Sequence, residues 1–234
     1  MKDQYVGDIN DYRKYGLIDK IAKVFGSNIL FVWMLTGNDS TDGNKTTYLN
    51  KPQKYRQYNP ELFDELVKIV EKKKKDKNIK NILAIQNSKL LKNYSFFTEI
   101  LEDDASSRRK YFDDVYKISK KHDLIFLDPD NGIEIPSCKY GTKKSSKYIY
   151  WNEIEYIFNN LNKDILIYQH FPRKDRNQFI NEITKECKAK LKNGKIIPIK
   201  TSNTLFLLII KKTERLLDKL KAELDIWKGE IDFV

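Results

Sequence analysis

The segment Asp128-Pro129-Asp130-Asn131-Gly132-Ile133-Glu134 sets three carboxylates and an amide directly after the apolar run Leu124-Ile125-Phe126-Leu127. The apolar run suits a buried strand, Pro129 ends any ladder, and Asn131-Gly132 favours a turn. Side chains on such a turn project beyond the strand end, where open parallel sheets bind their ligands. Carboxylates placed there can accept a proton or an amino group, or act as hard oxygen ligands to a metal. Asp128, Asp130, Asn131 and Glu134 are therefore candidate catalytic residues. Asp128→Asn should keep the shape, remove activity and relieve carboxylate repulsion.

Two other segments follow apolar runs in the same way. Ile29 to Leu35 leads into Thr36-Gly37-Asn38-Asp39-Ser40-Thr41-Asp42-Gly43, and Asp164 to Gln169 leads into His170-Phe171-Pro172-Arg173. His170 titrates in the range suited to proton transfer, and a carboxylate beside it would raise its pKa. Arg173 suits an anion such as phosphate. Near the N-terminus, Asp8, Asp11 and Lys14 stand among Tyr5, Tyr12 and Tyr15. Asp8 and Asp11 suit helix capping; alternatively, Asp8 and Lys14 face the same crevice.

The elements that must position these groups show in the apolar spacing. Ile18, Ile21, Ala22 and Phe25 recur at helical intervals, predicting a helix over about 10–25 that stops at Gly26. Asn59-Pro60-Glu61 opens a second helix with Leu62, Leu66, Ile69 and Val70 on its stripe. Ile82 to Ile85 is a short strand candidate. Helices are expected over 106–121, 152–161 and 174–192, and His122 is read as a helix-end residue. Strands are expected over 123–128, 164–169, 195–200 and 203–210, followed by a closing helix through Leu217, Leu220, Leu224 and Trp227. Alternating strands and helices predict a Rossmann-like three-layer α/β sandwich with a mainly parallel sheet. The last two strands lie too close for a helical crossover, so they form an antiparallel C-terminal hairpin at one edge. No linker divides residues 1–234, which read as a single domain with polar basic loops at about 36–59 and 132–150.

Composition bounds the partners. The 234 residues include 44 Lys and Arg against 33 Asp and Glu, for a net charge of +11. That balance favours an anionic partner, most simply nucleic acid. Lys143, Lys144 and Lys147, interleaved with tyrosines, are candidate phosphate contacts, and so is Lys14. Tyr48, Tyr55 and Tyr58 could stack on bases. With 14 Tyr and 12 Phe the chain has ample material for a core, which excludes a disordered chain. Two cysteines make no disulfide framework, no apolar run reaches a membrane span, and no signal-peptide core stands at the start. These features point to a cytoplasmic protein with no membrane contact; they leave the oligomeric state open.

The strand followed by D-P-D-N resembles the D-P-P-Y-type motif of adenine-N6 methyltransferases. Gly7 to Leu17 and the strand after it are similar to the N-terminal element of small ribosomal-RNA adenine-N6 methyltransferases. Asp128, Pro129 and Asn131 match motif positions. Asp130 stands where the family has proline, and Ile133 replaces its aromatic residue. The resemblance implies S-adenosylmethionine as methyl donor, with Asp8, Gly37, Asp39 and Asp42 at the donor site and Asp128 and Asn131 orienting the target amino group. The donor element departs from the family: one glycine is followed by acids, and the next strand, ending near Gln86-Asn87-Ser88, brings no acidic partner for a ribose.

Three functions follow. The first is a nucleic-acid-modifying enzyme that resembles these methyltransferases. The second is a metal-dependent nuclease or nucleotide hydrolase using Mg²⁺ or Mn²⁺. There Asp128, Asp130 and Glu134, with Asp39 and Asp42, would be ligands, His170 an acid or base, and Arg173 a phosphate contact. The third is a non-catalytic nucleic-acid-binding subunit.

Overall fold

A computed structural model describes residues 6–37, 45–75, 81–88, 91, 94–211 and 214–234. In chain order the elements are α1 (Ile9–Phe25), β1 (Ile29–Val32), α2 (Pro52–Tyr55), α3 (Pro60–Lys75), α4 (Asn81–Gln86), β2 (Ser95–Phe97), α5 (Ala105–Ser119) and β3 (Leu124–Leu127). They continue through β4 (Gly132–Ile133), β5 (Tyr148–Ile149), α6 (Trp151–Glu155), β6 (Asp164–His170), α7 (Arg176–Lys190), β7 (Lys195–Lys200), β8 (Thr204–Ile210), α8 (Glu214–Leu224) and β9 (Asp232–Phe233).

Local chemistry explains the helix ends. Asp8 caps α1 by accepting from the Asp11 N–H at 2.9 Å, and Gly26 closes it in the left-handed conformation. Asn59 Oδ1 accepts from the Leu62 N–H at the start of α3, where Pro60 takes the first position. Asp104 caps α5 through the Ser106 and Ser107 N–H groups.

Seven strands form one sheet in the order β2-β1-β3-β6-β8-β7-β9. β2, β1, β3 and β6 pair in parallel, while β8 pairs antiparallel with both β6 and β7. The hairpin expected at the edge is therefore threaded inward. α7 carries the chain past an open position, β7 runs parallel to β6 beyond it, and β8 turns back to fill the gap. The outer edge belongs to β9, paired with β7.

Strand alternation divides the core into two layers. Phe31, Trp33, Phe126, Leu166, Tyr168 and Phe206 face α1, α3 and α8. Leu30, Val32, Ile125, Leu127, Ile165 and Ile167 face α5, α6 and α7. Gly16 lets Trp227 reach the backbone of α1: a Cβ there would lie 2.4 Å from the indole ring.

Four expectations are corrected. Residues 82–85 are helical, in α4: Ile82 and Ile85, three apart, are buried, and Leu83 is exposed. A short apolar run does not distinguish a strand from a buried helix turn. The strand paired beside β1 is instead β2, with Phe31 opposite Phe96. The segment 132–150 is not wholly loop, because β4 and β5 pair in parallel within it. Tyr48 is buried and so not free for base stacking, and Tyr55 and Tyr58 are half-buried. Tyr48 stacks on Tyr12 at 5.5 Å and packs against Tyr55, and Tyr58 stacks on Trp227 at 5.3 Å.

Candidate active site at the carboxyl edge of the sheet

The exits of β1, β3 and β6 meet at one edge, and the N-terminal half of α1 lies over them. Asp11 and Lys14, one helical turn apart, are buried there with Asp128. Lys14 Nζ donates to Asp128 Oδ2 at 2.7 Å and to Asp11 Oδ1 at 3.0 Å. Its ammonium also sits 4.9 Å from the centre of the Tyr168 ring, with Tyr15, Trp33 and Phe126 within about 6 Å. Burial alone would lower the Lys14 pKa; Asp11 and Asp128 outweigh it and hold the ammonium charged. Burial raises the Asp128 carboxyl above its ordinary value, with Lys14 opposing the rise. The Tyr15 hydroxyl, buried among these acids, has no hydrogen-bond partner among the described residues, and burial together with Asp11 and Asp128 pushes its pKa up.

Lys14 is thus not a phosphate contact. It is committed to two carboxylates out of reach of a polyanion. Asp128 gains a cationic partner, while burial and the repulsion of Asp11 still raise its pKa. Asp8 stands at the rim of the same cluster. Burial, followed by the charge of Asp11, raises its pKa to about 7.

The turn after β3 is held by hydrogen bonds from the exits of β1 and β6. Thr36 Oγ1 donates to Asp130 Oδ2 at 2.8 Å, tying the exits of β1 and β3 together. The His170 N–H donates to the Asn131 carbonyl at 3.2 Å. Gln169 clamps the turn from β6: its Oε1 accepts from the Ile133 N–H at 2.8 Å, and its Nε2 donates to the Asn131 carbonyl at 3.2 Å. Gly132, at φ +119°, makes the clamp possible, since a Cβ there would lie 2.2 Å from Gln169 Oε1. Nothing in the sequence marked Gln169, because its role depends on a backbone 36 residues away. On the far side of this turn, beside α7, lies a cleft of about 540 Å³ walled by Ile133, Tyr148, Phe171, Phe179 and Ile183.

His170 lies beside the Asp128–Glu134 turn as expected, but its pKa shift has the opposite sign. Loss of solvent around the ring lowers the pKa, Lys14 and Lys45 lower it further, and Asp130 opposes them. The imidazole meets the Tyr168 ring edge-on at 5.1 Å, on the same face of β6 as Lys14, and the residue is exposed.

The carboxylates proposed for a metal are not gathered. Asp128 pairs with Lys14, Asp130 bonds to Thr36, and Glu134 Oε1 accepts from the Trp151 N–H at 2.7 Å, starting α6. Among the described residues no group of three or more Asp, Glu, His or Cys side chains could hold a metal ion. Asp39 and Asp42 lie outside the described residues. Gly37 is exposed at the exit of β1. Its counterpart at the exit of β2 is Glu99, also exposed. The sequence reading missed this acid by placing the strand at 82–85 instead of Ser95–Phe97.

The cationic loop is anchored from below. Arg108, fully buried, donates to both Glu153 oxygens and to the Ser145 and Tyr148 carbonyls. Asp103 accepts from the Lys144 and Ser146 N–H groups. Lys143 and Lys144 stay exposed and Lys147 half-buried; Arg173 is exposed beyond β6. In the other basic loop, Arg56 is paired with Asp64.

No family model matches the chain, and neither a curated protein nor a solved structure is significantly similar to it. Among the described residues, no helix is long and apolar enough to cross a membrane.

Proposed function

We propose that this chain is an S-adenosylmethionine-dependent methyltransferase acting on amino groups of nucleic acid. One observation carries the reading: Asp128-Pro129-Asp130-Asn131 leaves a central strand of a sheet whose reversed β8 lies between β6 and β7. This is the strand pattern of Rossmann-like methyltransferases.

The residues at the edge fit the donor. At Gly37, beyond the exit of β1, a Cβ would meet no described atom within 4 Å. Glu99 brings an exposed carboxylate to the exit of β2, where an acid can bind ribose hydroxyls. Gly37 and Glu99 would hold the donor, which supplies an electrophilic methyl group when bound. The chain's own part is to order the acceptor. The Gln169 clamp and the Thr36–Asp130 bond fix the turn, and the Lys14 pair fixes the Asp128 carboxylate. Exposed Lys143, Lys144 and Arg173 supply cations for a phosphate backbone, which positions the substrate without reading its sequence.

The test is thermal unfolding with S-adenosylmethionine, with Mg²⁺ or Mn²⁺, and with neither, followed by transfer of a labelled methyl group to RNA and DNA. A donor that binds only the folded chain stabilises it by about 2.7 kcal/mol at a hundredfold excess over Kd. Stabilisation by metal but not by the donor overturns the reading in favour of a hydrolase. Stabilisation by neither, together with retained oligonucleotide binding, overturns it in favour of a binding subunit.

A further inference from the structure

We infer that His170 is the proton acceptor of the reaction, taking the proton that the acceptor nitrogen must lose. The inference rests on the methyl-transfer reading and adds a step to it. When an amino nitrogen gains a methyl group, a C–N bond forms and the donor's C–S bond breaks. The nitrogen is left with a surplus proton and a positive charge. The sulfonium donor leaves as a neutral thioether, so the proton is the one item that protein or solvent must carry away.

His170 is placed for this step by the backbone rather than by its own side chain. Its N–H is bonded to the Asn131 carbonyl, so the imidazole moves with the turn that orients the acceptor. Alternation along β6 sends Gln169 into the turn and sends Tyr168 and His170 to the face that carries Lys14 and Asp128. The ring packs edge-on against Tyr168 yet keeps an exposed side, so a proton received there can pass to water.

The surroundings also set its charge. Lys14 from α1 and Lys45 from the segment before α2 disfavour a second positive charge. Asp130 favours one, and Tyr168 stays neutral because burial and Asp128 hold its own pKa high. Desolvation and the two lysines prevail, so the imidazole gives up its proton at a lower pH than its ordinary titration point of 6.5 and enters the reaction near neutral pH as a base.

Two measurements test this. With only two histidines in the chain, imidazole NMR with a His170→Ala control reads the titration directly in the resting protein. A midpoint below 6.5 is expected, and one above it overturns the inference. In the second, the parent's kcat should rise along a limb with that same midpoint. His170→Ala should lose the limb and about 10²- to 10⁴-fold in kcat, with added imidazole restoring part of the rate and donor binding unchanged. If the parent transfers methyl groups and the variant matches it from pH 5 to 9, the proton role falls while the methyl-transfer reading stands. If the parent transfers none, both fall.

Discussion

Replacing Asp8 by asparagine separates the cap of α1 from the charge that sits on it. Asn Oδ1 can accept from the Asp11 N–H as Asp8 does, and asparagine is as good a cap as aspartate. What changes is the burial of a carboxylate beside Asp11. In the folded chain this group holds its proton to about pH 7, against an ordinary value of 3.8. A raised carboxyl pKa means that the folded state binds the proton more tightly than the unfolded one. Stability therefore falls as pH rises from 3.8 to about 7 and is level outside that window. At about 1.4 kcal/mol for each pH unit, ionised Asp8 costs about 4 kcal/mol above pH 7 and about 2 kcal/mol at pH 5.5. Asp8→Asn should thus be more stable than the parent, with an advantage about 2 kcal/mol larger at pH 8 than at pH 5.5. Urea unfolding at the two pH values reads this difference, provided the denaturant slopes agree. An equal effect at both pH values, or a variant less stable at pH 8, would refute the assignment of a buried, repelled carboxylate.

Gly132→Ala should cost about 2–4 kcal/mol in urea unfolding, because its Cβ meets the Gln169 amide and the backbone is left-handed; a neutral substitution would mean that the clamp is not formed. Asp128→Ala should destabilise by about 3 kcal/mol, since it takes a hydrogen-bond acceptor from the buried Lys14 ammonium; unchanged stability would show that Lys14 is not bonded to it. Replacing Lys143, Lys144 and Lys147 together by Ala should weaken oligonucleotide binding and flatten its dependence on salt. An unchanged salt slope would remove this loop from the contact surface.

The frame of the fold was legible because its signals are local. The α1 stripe, the cap at Asn59 and the apolar runs at β3, β6 and β8 each state their structure within a few residues. β2 was not legible. Three residues, Ser95–Phe97, carry too little pattern, and the neighbouring Ile82 to Ile85 imitates a strand. With β2 misplaced, Glu99 was lost as well. The inward threading of β8 was also hidden, because sequence shows that two strands form a hairpin but not which neighbour waits for the second. At the site, the turn 128–134 was read from its own residues, and its closeness to His170 followed from adjacent parallel strands. The sign of the His170 shift did not follow. It depends first on the loss of solvent around the ring and then on Lys14 and Lys45, which approach from segments far away in the chain. Helical spacing put Asp11 and Lys14 on one face, but nothing within α1 says that Asp128 will meet them there.

The buried Lys14 changes what the basic composition means. A lysine that grips phosphate must keep its ammonium in water or in reach of the ligand, and Lys143 and Lys144 are exposed. Lys14 instead gives up water for two carboxylates and an aromatic enclosure. Breaking such a pair is costly, whereas a well-packed apolar replacement of the whole pair would be neutral or better, so stability alone does not account for its presence. Its effect is to set the Asp128 carboxylate in one position under a fixed cation and to disfavour a proton on His170. Positive charge thus works at two distances in this fold. On the loops it would draw and align a polyanion over the Debye length of about 8 Å, and any loop lysine serves that end as well as another. At the carboxyl edge one lysine acts through direct contact with two carboxylates. The net charge of +11 reports only the first of these.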